Sequence, residues 1–211
     1  NFKCSYCSPH LSTAWEDDVK KHGGFKFSNK TGHNDIDYLR RKGWMPLEVA
    51  RKDNPYITAF WEWFPKMYQD LKVFRMTGGE PLMDNNTFKV LDYVNKNPNA
   101  TLDLSITSNM CPPQDALFDK FIDKLKAIEE VRVWEDTTKF NPDSGNYWYV
   151  APACKHFSLY VSVDSVGEQA EYLRDGLDFN KLYENCRRVL KETDGTEISF
   201  INTFNLLSIP N

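Results

Sequence analysis

Short apolar segments alternate with amphipathic segments over residues 71–205, and this alternation constrains the fold more than any other feature of the sequence. The predicted strands and helices lie, in chain order, at 71–76, 84–97, 101–109, 112–128, 158–164, 179–193 and 197–205. Strands and helices that alternate in this way form parallel sheets with right-handed helical crossovers. The sequence therefore predicts an α/β fold, as either a sheet or a barrel.

Apolar residues recur at helical spacing in the predicted helices, and they identify the faces that are expected to pack inward. The helix at 112–128 has such a face, formed by Leu117, Phe118, Phe121, Ile122, Leu125 and Ile128. The helix at 179–193 is expected to bury Leu182, Cys186, Val189 and Leu190. An aromatic segment at 58–71 predicts a further helix, which Pro65 interrupts or kinks. Its aromatic side chains are expected to lie in the core: Phe60, Trp61, Trp63 and Phe64.

Length and composition narrow the classes of function. We interpret the 211 residues as one domain over 1–211, with insertions near 10–56 and 131–154, the second a loop or hairpin. A net charge of −4 lacks the basic excess of a general nucleic-acid-binding protein. No apolar run approaches the roughly 20 residues of a membrane span, so no membrane partner is expected. Five cysteines form an odd set, typical of a reducing compartment, and we predict a cytoplasmic location.

Polar clusters follow each of the four predicted strands. They are TGGEP (77–81), TSN (107–109), SVDS (162–165) and NTFN (202–205). Because ligands of parallel α/β folds bind at the carboxyl ends of the strands, these clusters predict one ligand site. The two glycines of TGGEP expose the backbone without Cβ obstruction, and Glu80 adds a carboxylate. This turn is suited to holding an ammonium group.

Cys4 and Cys7 form a C-x-x-C motif with Tyr6 just before the second cysteine. Two thiolates complete neither a four-ligand zinc site nor an iron–sulfur site, so further ligands are required. Histidines could supply them for zinc, the candidates being His10, His22 and His33. Of the remaining cysteines, Cys186 is expected in the core and Cys111 and Cys154 in loops.

The combination of NFKCSYC with TGGEP resembles the radical S-adenosylmethionine (SAM) enzymes. Their motif is C-x-x-x-C-x-φ-C, with φ aromatic, followed by a GGEP-type motif after the next barrel strand. Asn1, Phe2 and Lys3 match the three spacer residues, and Tyr6 matches the aromatic position. GGEPLM and SVDS look most like the twitch-type radical SAM proteins of phages and marine bacteria. The resemblance implies a partial (β/α)6-type TIM barrel, truncated at both ends.

The resemblance also implies the cofactors and the reaction. Three thiolates would hold a 4Fe–4S cluster whose fourth iron binds the amine and carboxylate of SAM. Reduction of the cluster, by a donor such as flavodoxin or ferredoxin, then yields a 5′-deoxyadenosyl radical that abstracts hydrogen from the substrate. The substrate is unknown, since the composition fits a peptide, a nucleotide or a sugar equally.

Site residues carry over from the family position by position. Cys4 and Cys7 match the last two cluster ligands. The residues that match cofactor-binding positions are Tyr6, Gly78, Gly79, Glu80, Pro81, Ser108, Asn109, Ser162, Asp164, Arg174 and Asn202. Among them, Gly78 to Pro81 match the segment that binds the SAM amine, and Arg174 matches an arginine that pairs with the SAM carboxylate. The family's usual glycine after Asn109 is Met110 here.

Two alternatives stay open on the sequence. The first is a zinc-stabilised binding module built on Cys4, Cys7 and histidines, although it leaves TGGEP unexplained. The second is a catalytically silent barrel that serves interaction.

We predict that the codon before that of Asn1 encodes cysteine. Tyr6 identifies Cys4 and Cys7 as the last two cysteines of C-x-x-x-C-x-φ-C. The spacing of the motif then places its first cysteine directly before Asn1. Reading the gene upstream of Asn1 checks the prediction, and any other residue there would leave the cluster without its third ligand.

Overall fold

A computed structural model describes residues 2–24, 35–45, 54–136 and 146–209 of the chain. His33 and parts of both predicted insertions lie outside these residues. The chain divides into two compact units. The first contains Asn1–Tyr68, Asp164–Phe179 and Thr203–Asn211, and the second contains Gln69–Val163 and Asn180–Asn202. The single domain expected from the sequence remains a prediction.

The second unit is built on a four-stranded parallel sheet with strand order β2-β3-β6-β8. The strands are β2 (Val73–Met76), β3 (Asn99–Ser108), β6 (Cys154–Ser162) and β8 (Thr196–Ile201). The helices that follow β2, β3 and the turn after β6 are α4 (Asn85–Lys96), α5 (Asp115–Glu129) and α7 (Phe179–Glu192). The predicted α/β fold with parallel strands is therefore confirmed.

One face of this sheet is apolar and buried. Alternate residues of the two central strands supply it: Leu102, Leu104, Ile106, Phe157, Leu159 and Val161. Helix α5 contributes the buried side chains Phe118, Phe121, Ile122, Leu125 and Ile128, as its periodicity predicts. The rings of Phe121 and Phe157 lie 6.5 Å apart between centroids, so α5 packs on this face. Because the four strands are parallel, their carboxyl ends lie at one edge of the sheet.

A two-stranded antiparallel hairpin lies between α5 and β6. Its strands are β4 (Val131–Asp136) and β5 (Asn146–Ala151), paired from Val131 with Ala151 to Asp136 with Asn146. The hairpin interpretation of the second insertion is thus confirmed for the described residues.

The first unit contains α1 (Thr13–His22), α2 (Ile36–Arg41), α3 (Pro55–Met67) and α6 (Gly167–Leu173), with a 3₁₀ turn at Leu206–Ser208. Ser12, Asp35 and Asn54 cap the first three helices, because each side chain accepts a hydrogen bond from a backbone N–H of the first turn. The short strand β1 (Lys3–Cys4) pairs antiparallel with β7 (Arg174–Asp175). This pairing joins the cysteine motif to the segment that follows α6.

The structure corrects several details of the sequence prediction. Helix α3 continues through Pro65 to Met67, because a proline in the last turn removes only one terminal hydrogen bond. Phe64 is fully buried, whereas Trp63 is 41% exposed and is not a core residue. Cys154 begins β6 and is buried, so it is not a loop cysteine. Leu190 is 63% exposed, since the inward face of α7 passes through Leu182, Cys186 and Val189.

A helix that spans a membrane must be both long and apolar. Within the described residues, no helix is both long enough and apolar enough to cross a bilayer.

Two leucines of α7 give a matched test of this packing. We predict that Leu182→Ala lowers the free energy of unfolding by about 2 to 5 kcal/mol, because it leaves a cavity in the core. Leu190→Ala should change it by less than about 0.5 kcal/mol, because that side chain is solvated. Urea unfolding followed by circular dichroism measures both, and equal effects would contradict the assigned face of α7.

Candidate functional site

The C-x-x-C motif forms a tight turn at the end of β1. The N–H of Cys7 donates to the carbonyl of Cys4 at 3.0 Å, and the Nε1–H of Trp15 donates to the same carbonyl at 2.9 Å. The N–H of Ser5 donates to the carbonyl of Leu173 at 2.9 Å, which continues the pairing of β1 with β7. Backbone hydrogen bonds on both sides therefore fix the two cysteines on one loop.

The two thiols of this turn are half-buried and hydrogen bonded to each other. That hydrogen bond lowers the pKa of Cys7 to about 6, and the positive charge of Arg174 acts in the same direction. The same hydrogen bond, together with burial, raises the pKa of the Cys4 thiol. The turn therefore presents two sulfur atoms on one loop, the type of ligand that a soft metal or an iron–sulfur group binds.

A buried carboxylate organises the rest of this unit. Asp164 is 1% exposed and accepts four hydrogen bonds. The Tyr6 hydroxyl donates at 2.7 Å, Nε and Nη2 of Arg174 donate at 2.7 and 3.0 Å, and the N–H of Thr203 donates at 2.9 Å. Three chain segments that are distant in sequence converge on one side chain.

The electrostatics of this cluster fix its protonation. Burial alone would raise the pKa of Asp164, but the hydrogen bonds from Arg174 and Tyr6 outweigh it and hold the pKa below the ordinary value. Burial and the Asp164 carboxylate raise the pKa of Tyr6, so its hydroxyl stays protonated and donates. The cluster therefore contains an ionised carboxylate, a neutral phenol and a guanidinium.

This geometry divides the predicted roles of Asp164 and Arg174. A carboxylate has about four acceptor positions, and Asp164 uses all four within the protein, so it positions its neighbours. Arg174 is 8% exposed and is not a surface arginine. Its Nε and one Nη2 bond are directed to Asp164, which leaves Nη1–H groups for a further acceptor. Its guanidinium lies 5.8 Å from the centroid of the Tyr6 ring.

The second unit contains the TGGEP turn after β2. Gly78 has φ +89° and Gly79 has φ +55°, both in the left-handed region that favours glycine. No atom lies within 4 Å of the position that a Cβ would occupy at either glycine. Both residues are exposed, so their backbone groups border open space where a ligand can approach.

Glu80 is the buried acid of this turn, with 7% exposure. Its Oε1 accepts hydrogen bonds from the Leu82 N–H at 3.1 Å and the Ser108 hydroxyl at 2.7 Å, and its Oε2 accepts one from the Asn109 N–H at 2.9 Å. Pro81 is buried and opens a 3₁₀ turn, Pro81–Met83, that holds this geometry. One acceptor position of Oε2 remains beyond these three.

The charge of Glu80 has no counterion among the side chains that the structure describes. Burial raises its pKa, and the hydrogen bonds from Asn109, Ser108 and Leu82 offset this only in part. Buried carboxylates are normally paired, because desolvation disfavours an isolated charge. The turn therefore offers a cationic ligand a buried carboxyl group that pairs with no described side chain.

The residues after β3 complete the surroundings of Glu80. Met110 has φ +58°, in the left-handed region that favours glycine, and its side chain is fully buried. Its carbonyl accepts a hydrogen bond from Nδ2 of Asn185 at 2.7 Å, which anchors the strained residue to α7. Methionine therefore adopts a glycine-like backbone angle at this position, supported by its buried side chain and by α7.

The remaining predicted residues lie at the ends of the other two strands. Ser162 is half-buried at the end of β6 and pairs in register with Ile201. Asn202 is exposed and follows β8 directly. The structure thus groups the predicted residues as Cys4, Tyr6, Cys7, Asp164 and Arg174 in one unit, and as Gly78–Pro81, Ser108 and Asn109 in the other.

Sequence reasoning missed Thr203, Trp15 and Asn185. Thr203 acts through its backbone N–H, which no choice of side chain reveals. Trp15 donates to a backbone carbonyl of the cysteine turn, and Asn185 does the same at Met110. A polar Asn on the inward face of α7 was the one available signal, since buried polar groups require partners.

The histidines do not extend the cysteine turn into a metal site within the described ranges. His10 Nδ1 is hydrogen bonded to the Ser8 hydroxyl at 2.7 Å, and its ring lies 6.1 Å from that of Trp44. His22 lies at the exposed end of α1. No group of three or more His, Cys, Asp or Glu side chains among these residues is arranged to hold a metal ion.

Comparisons with family models, with curated proteins and with solved structures each found no match.

We predict that Asp164→Asn lowers the free energy of unfolding at pH 7 by about 3 to 5 kcal/mol, because it leaves the Arg174 guanidinium buried without its counterion. Glu184→Gln is the matched control. It removes an exposed partner of Arg187 and should change stability by less than about 1 kcal/mol. Chemical unfolding of both variants measures the difference.

The pH dependence of unfolding separates the ion pair from simple packing. Since the pKa of Asp164 is lower in the folded state, its contribution is present above the unfolded-state value, near 3.8, and is lost as the pH falls through the folded-state value. Acidification should therefore destabilise the wild type more than Asp164→Asn. Parallel pH profiles would contradict the assignment.

Proposed function

We propose that the chain is the core of a radical SAM enzyme. The observation that carries the proposal is Glu80, a buried carboxylate with no counterion among the described side chains, beside two glycines that border open space. Such a turn suits the ammonium of an amino-acid group, which donates up to three hydrogen bonds and carries the missing charge. SAM presents that group, and Glu80 with the carbonyls of Gly78 and Gly79 would bind it.

The cysteine turn supports the second part of the proposal. Cys4 and Cys7 would hold the cluster, because the chemistry of iron–sulfur groups calls for thiolates and the turn presents two on one loop. The third thiolate is the cysteine that we predict before Asn1. When bound and reduced, a 4Fe–4S cluster supplies the electron that splits a carbon–sulfur bond of SAM.

The cluster of Asp164, Arg174 and Tyr6 would orient the bound SAM. Asp164 holds the guanidinium of Arg174 through two hydrogen bonds, and the backbone pairing of Cys4 with Arg174 ties this group to the cysteine turn. The Nη1–H groups of Arg174 would donate to the carboxylate of SAM. Tyr6 fixes the same carboxylate of Asp164, so it acts on the ligand indirectly.

The sheet supports the partial barrel that the resemblance implies. Parallel sheets are normally apolar on both faces, because helices or a packed core cover each. Here one face packs under α5, while the other carries hydroxyl and charged side chains, among them Arg75, Thr107 and Ser158. A polar face is what the lumen of a ligand-binding barrel requires, and we propose that β2, β3, β6 and β8 form part of such a barrel.

Two experiments separate this proposal from its alternatives. Anaerobic reconstitution of the full open reading frame with iron and sulfide, followed by metal analysis and electron spin resonance, distinguishes a 4Fe–4S protein from a zinc module. Incubation with SAM and dithionite or reduced flavodoxin then tests the reaction. Formation of 5′-deoxyadenosine, detected by mass spectrometry, supports the enzyme, whereas a reconstituted cluster without it supports the silent barrel.

We predict that Glu80→Gln weakens SAM binding by about 1.5 to 3 kcal/mol, or about 10- to 150-fold, because the ammonium loses a charged acceptor. Iron content should stay at the wild-type level, since Glu80 is not a cluster ligand. Titration calorimetry with SAM on the reconstituted protein measures the affinity.

The amide variant is preferred to Glu80→Ala because glutamine keeps one of the two acceptor oxygens, whereas alanine keeps neither. Removing the three hydrogen bonds that Glu80 accepts would leave buried donors unsatisfied and lower stability by itself. Glu130→Gln, at the exposed end of α5, controls for the loss of one negative charge. Unchanged SAM affinity in Glu80→Gln would contradict the assigned role.

A further inference from the structure

The polar face of the parallel sheet contains an arginine near its carboxyl edge. Register places the side chains of this face in rows across the strands. One row is Arg75, Ser105, Ser158 and Glu197, and the next row toward the carboxyl ends is Thr107, Tyr160 and Ser199. Arg75 is two residues before the TGGEP turn.

Two contacts hold Arg75 on this face. Its Nε–H donates to the Ser105 hydroxyl at 3.3 Å, and its guanidinium carbon lies 5.0 Å from the centroid of the Tyr160 ring. Stacking over an aromatic ring fixes the plane of a guanidinium. With Nε committed to Ser105, the fork of Nη1 and Nη2 is the part of the group that remains to bind a ligand.

No carboxylate of the described residues forms an ion pair with Arg75. Asp103, on the same strand as Ser105, is instead 3.5 Å from the ammonium of Lys155. Glu197 shares the row of Arg75 but stands three strands away, about 14 Å at a strand spacing of about 4.8 Å. Arg75 is exposed, and among the described residues its positive charge therefore has no ionic partner on this face.

Other arginines of the chain are arranged differently. Arg174 is paired with Asp164, Arg187 with Glu184, and Arg188 with Asp119 and Glu192. Arg187 also lies over a tyrosine, with its guanidinium carbon 5.8 Å from the centroid of the Tyr183 ring, but on the outer surface of α7. Arg75 thus differs from Arg187 in two respects, the absence of an ionic partner among the described residues and its position on the sheet face.

The side chains beside Arg75 leave room and supply donors. Ser105 and Ser158 are small, and the hydroxyl of Thr107, on the adjacent strand, belongs to the neighbouring row. A planar oxyanion could accept two parallel hydrogen bonds from the guanidinium fork and further ones from these hydroxyls. A cation or an apolar group would gain nothing from the same surroundings.

We propose that Arg75 binds an oxyanion of the substrate, a carboxylate or a phosphate, on the polar face of the sheet. Ser105 and Tyr160 position its guanidinium, and the two Nη groups donate to the anion. That the anion belongs to a substrate rests on the proposed radical SAM function, whereas the anion site itself rests on the contacts of Arg75 alone. This narrows the substrate from any peptide, nucleotide or sugar to one that presents an anionic group.

Anion binding by the apoprotein tests the site without iron or SAM. Titration calorimetry at low ionic strength, where screening is weak, uses inorganic phosphate and succinate as the two probes and chloride as the control for general charge effects. We expect one of the two oxyanions to bind in preference to chloride. Preference for phosphate points to a phosphorylated substrate, and preference for succinate points to a carboxylate.

Variants locate the binding. Arg75→Gln should weaken binding of the preferred probe by about tenfold or more, as expected for a lost charge-assisted pair. Arg187→Gln, which removes a stacked arginine elsewhere in the same unit, should leave it unchanged. Ser105→Ala keeps the charge but frees Nε, and should weaken binding several-fold, so it replaces Arg75→Gln if that variant does not fold.

The results separate the anion site from the radical SAM proposal. Equal binding by wild type and Arg75→Gln, or binding of neither oxyanion by the wild type, would overturn the anion site. If Arg75→Gln loses binding while the reconstituted wild type forms no 5′-deoxyadenosine, the radical SAM proposal fails and the anion site stands.

Discussion

The parallel alignment of β2, β3, β6 and β8 is the constraint on which the second unit depends. All strands of a parallel sheet run in the same direction, so the polypeptide leaves the sheet at its carboxyl edge after each of the four strands. TGGEP and TSN lie at the first two of these turns, so Glu80 and Ser108, 28 positions apart, meet at one edge. Glu80 then joins two of the turns by accepting hydrogen bonds from Ser108 and Asn109.

Periodicity was sufficient to predict this architecture. Alternating strands and helices identified the parallel sheet, and the apolar face of α5 was correct except that Leu117 is only half-buried. The errors in the predicted core concern residues that lie next to a buried position on a helix. Leu190 lies beside Val189, and one helical step of about 100° was enough to turn it to solvent. Trp63 similarly lies one helical step from Phe64, the one fully buried aromatic among the described side chains of α3.

The candidate site was predictable in its residues but less so in their partners. The positions of Glu80, Asp164 and Arg174 were named from motifs, yet nothing in the sequence showed that Asp164 pairs with Arg174 and Tyr6. That pairing depends on where α6 ends and on the antiparallel contact of β1 with β7, which has only two residues per strand. Strands this short leave no periodic pattern to detect.

Met110 illustrates the same limit at the level of one backbone angle. A methionine in place of the family's glycine weakened the expected match, because the sequence does not encode φ directly. The structure keeps the left-handed angle and supports it with a hydrogen bond from Asn185 and a buried side chain. The strain of such a residue, on the order of 1 to 3 kcal/mol, is tolerated only where the surroundings over-determine it.

The alternation of side chains along β3, β6 and β8 has an evolutionary consequence. In a strand with period two, one set of residues forms the core and the other forms the polar face on which we propose that the ligand binds, and the two sets share no side-chain positions. Ser158, Thr107 and Ser199 can therefore change identity without altering Leu159, Ile106 or Ile198 on the opposite face. Such a sheet can acquire a new specificity through single substitutions while its apolar core is inherited unchanged, so divergence among descendants should concentrate on one face.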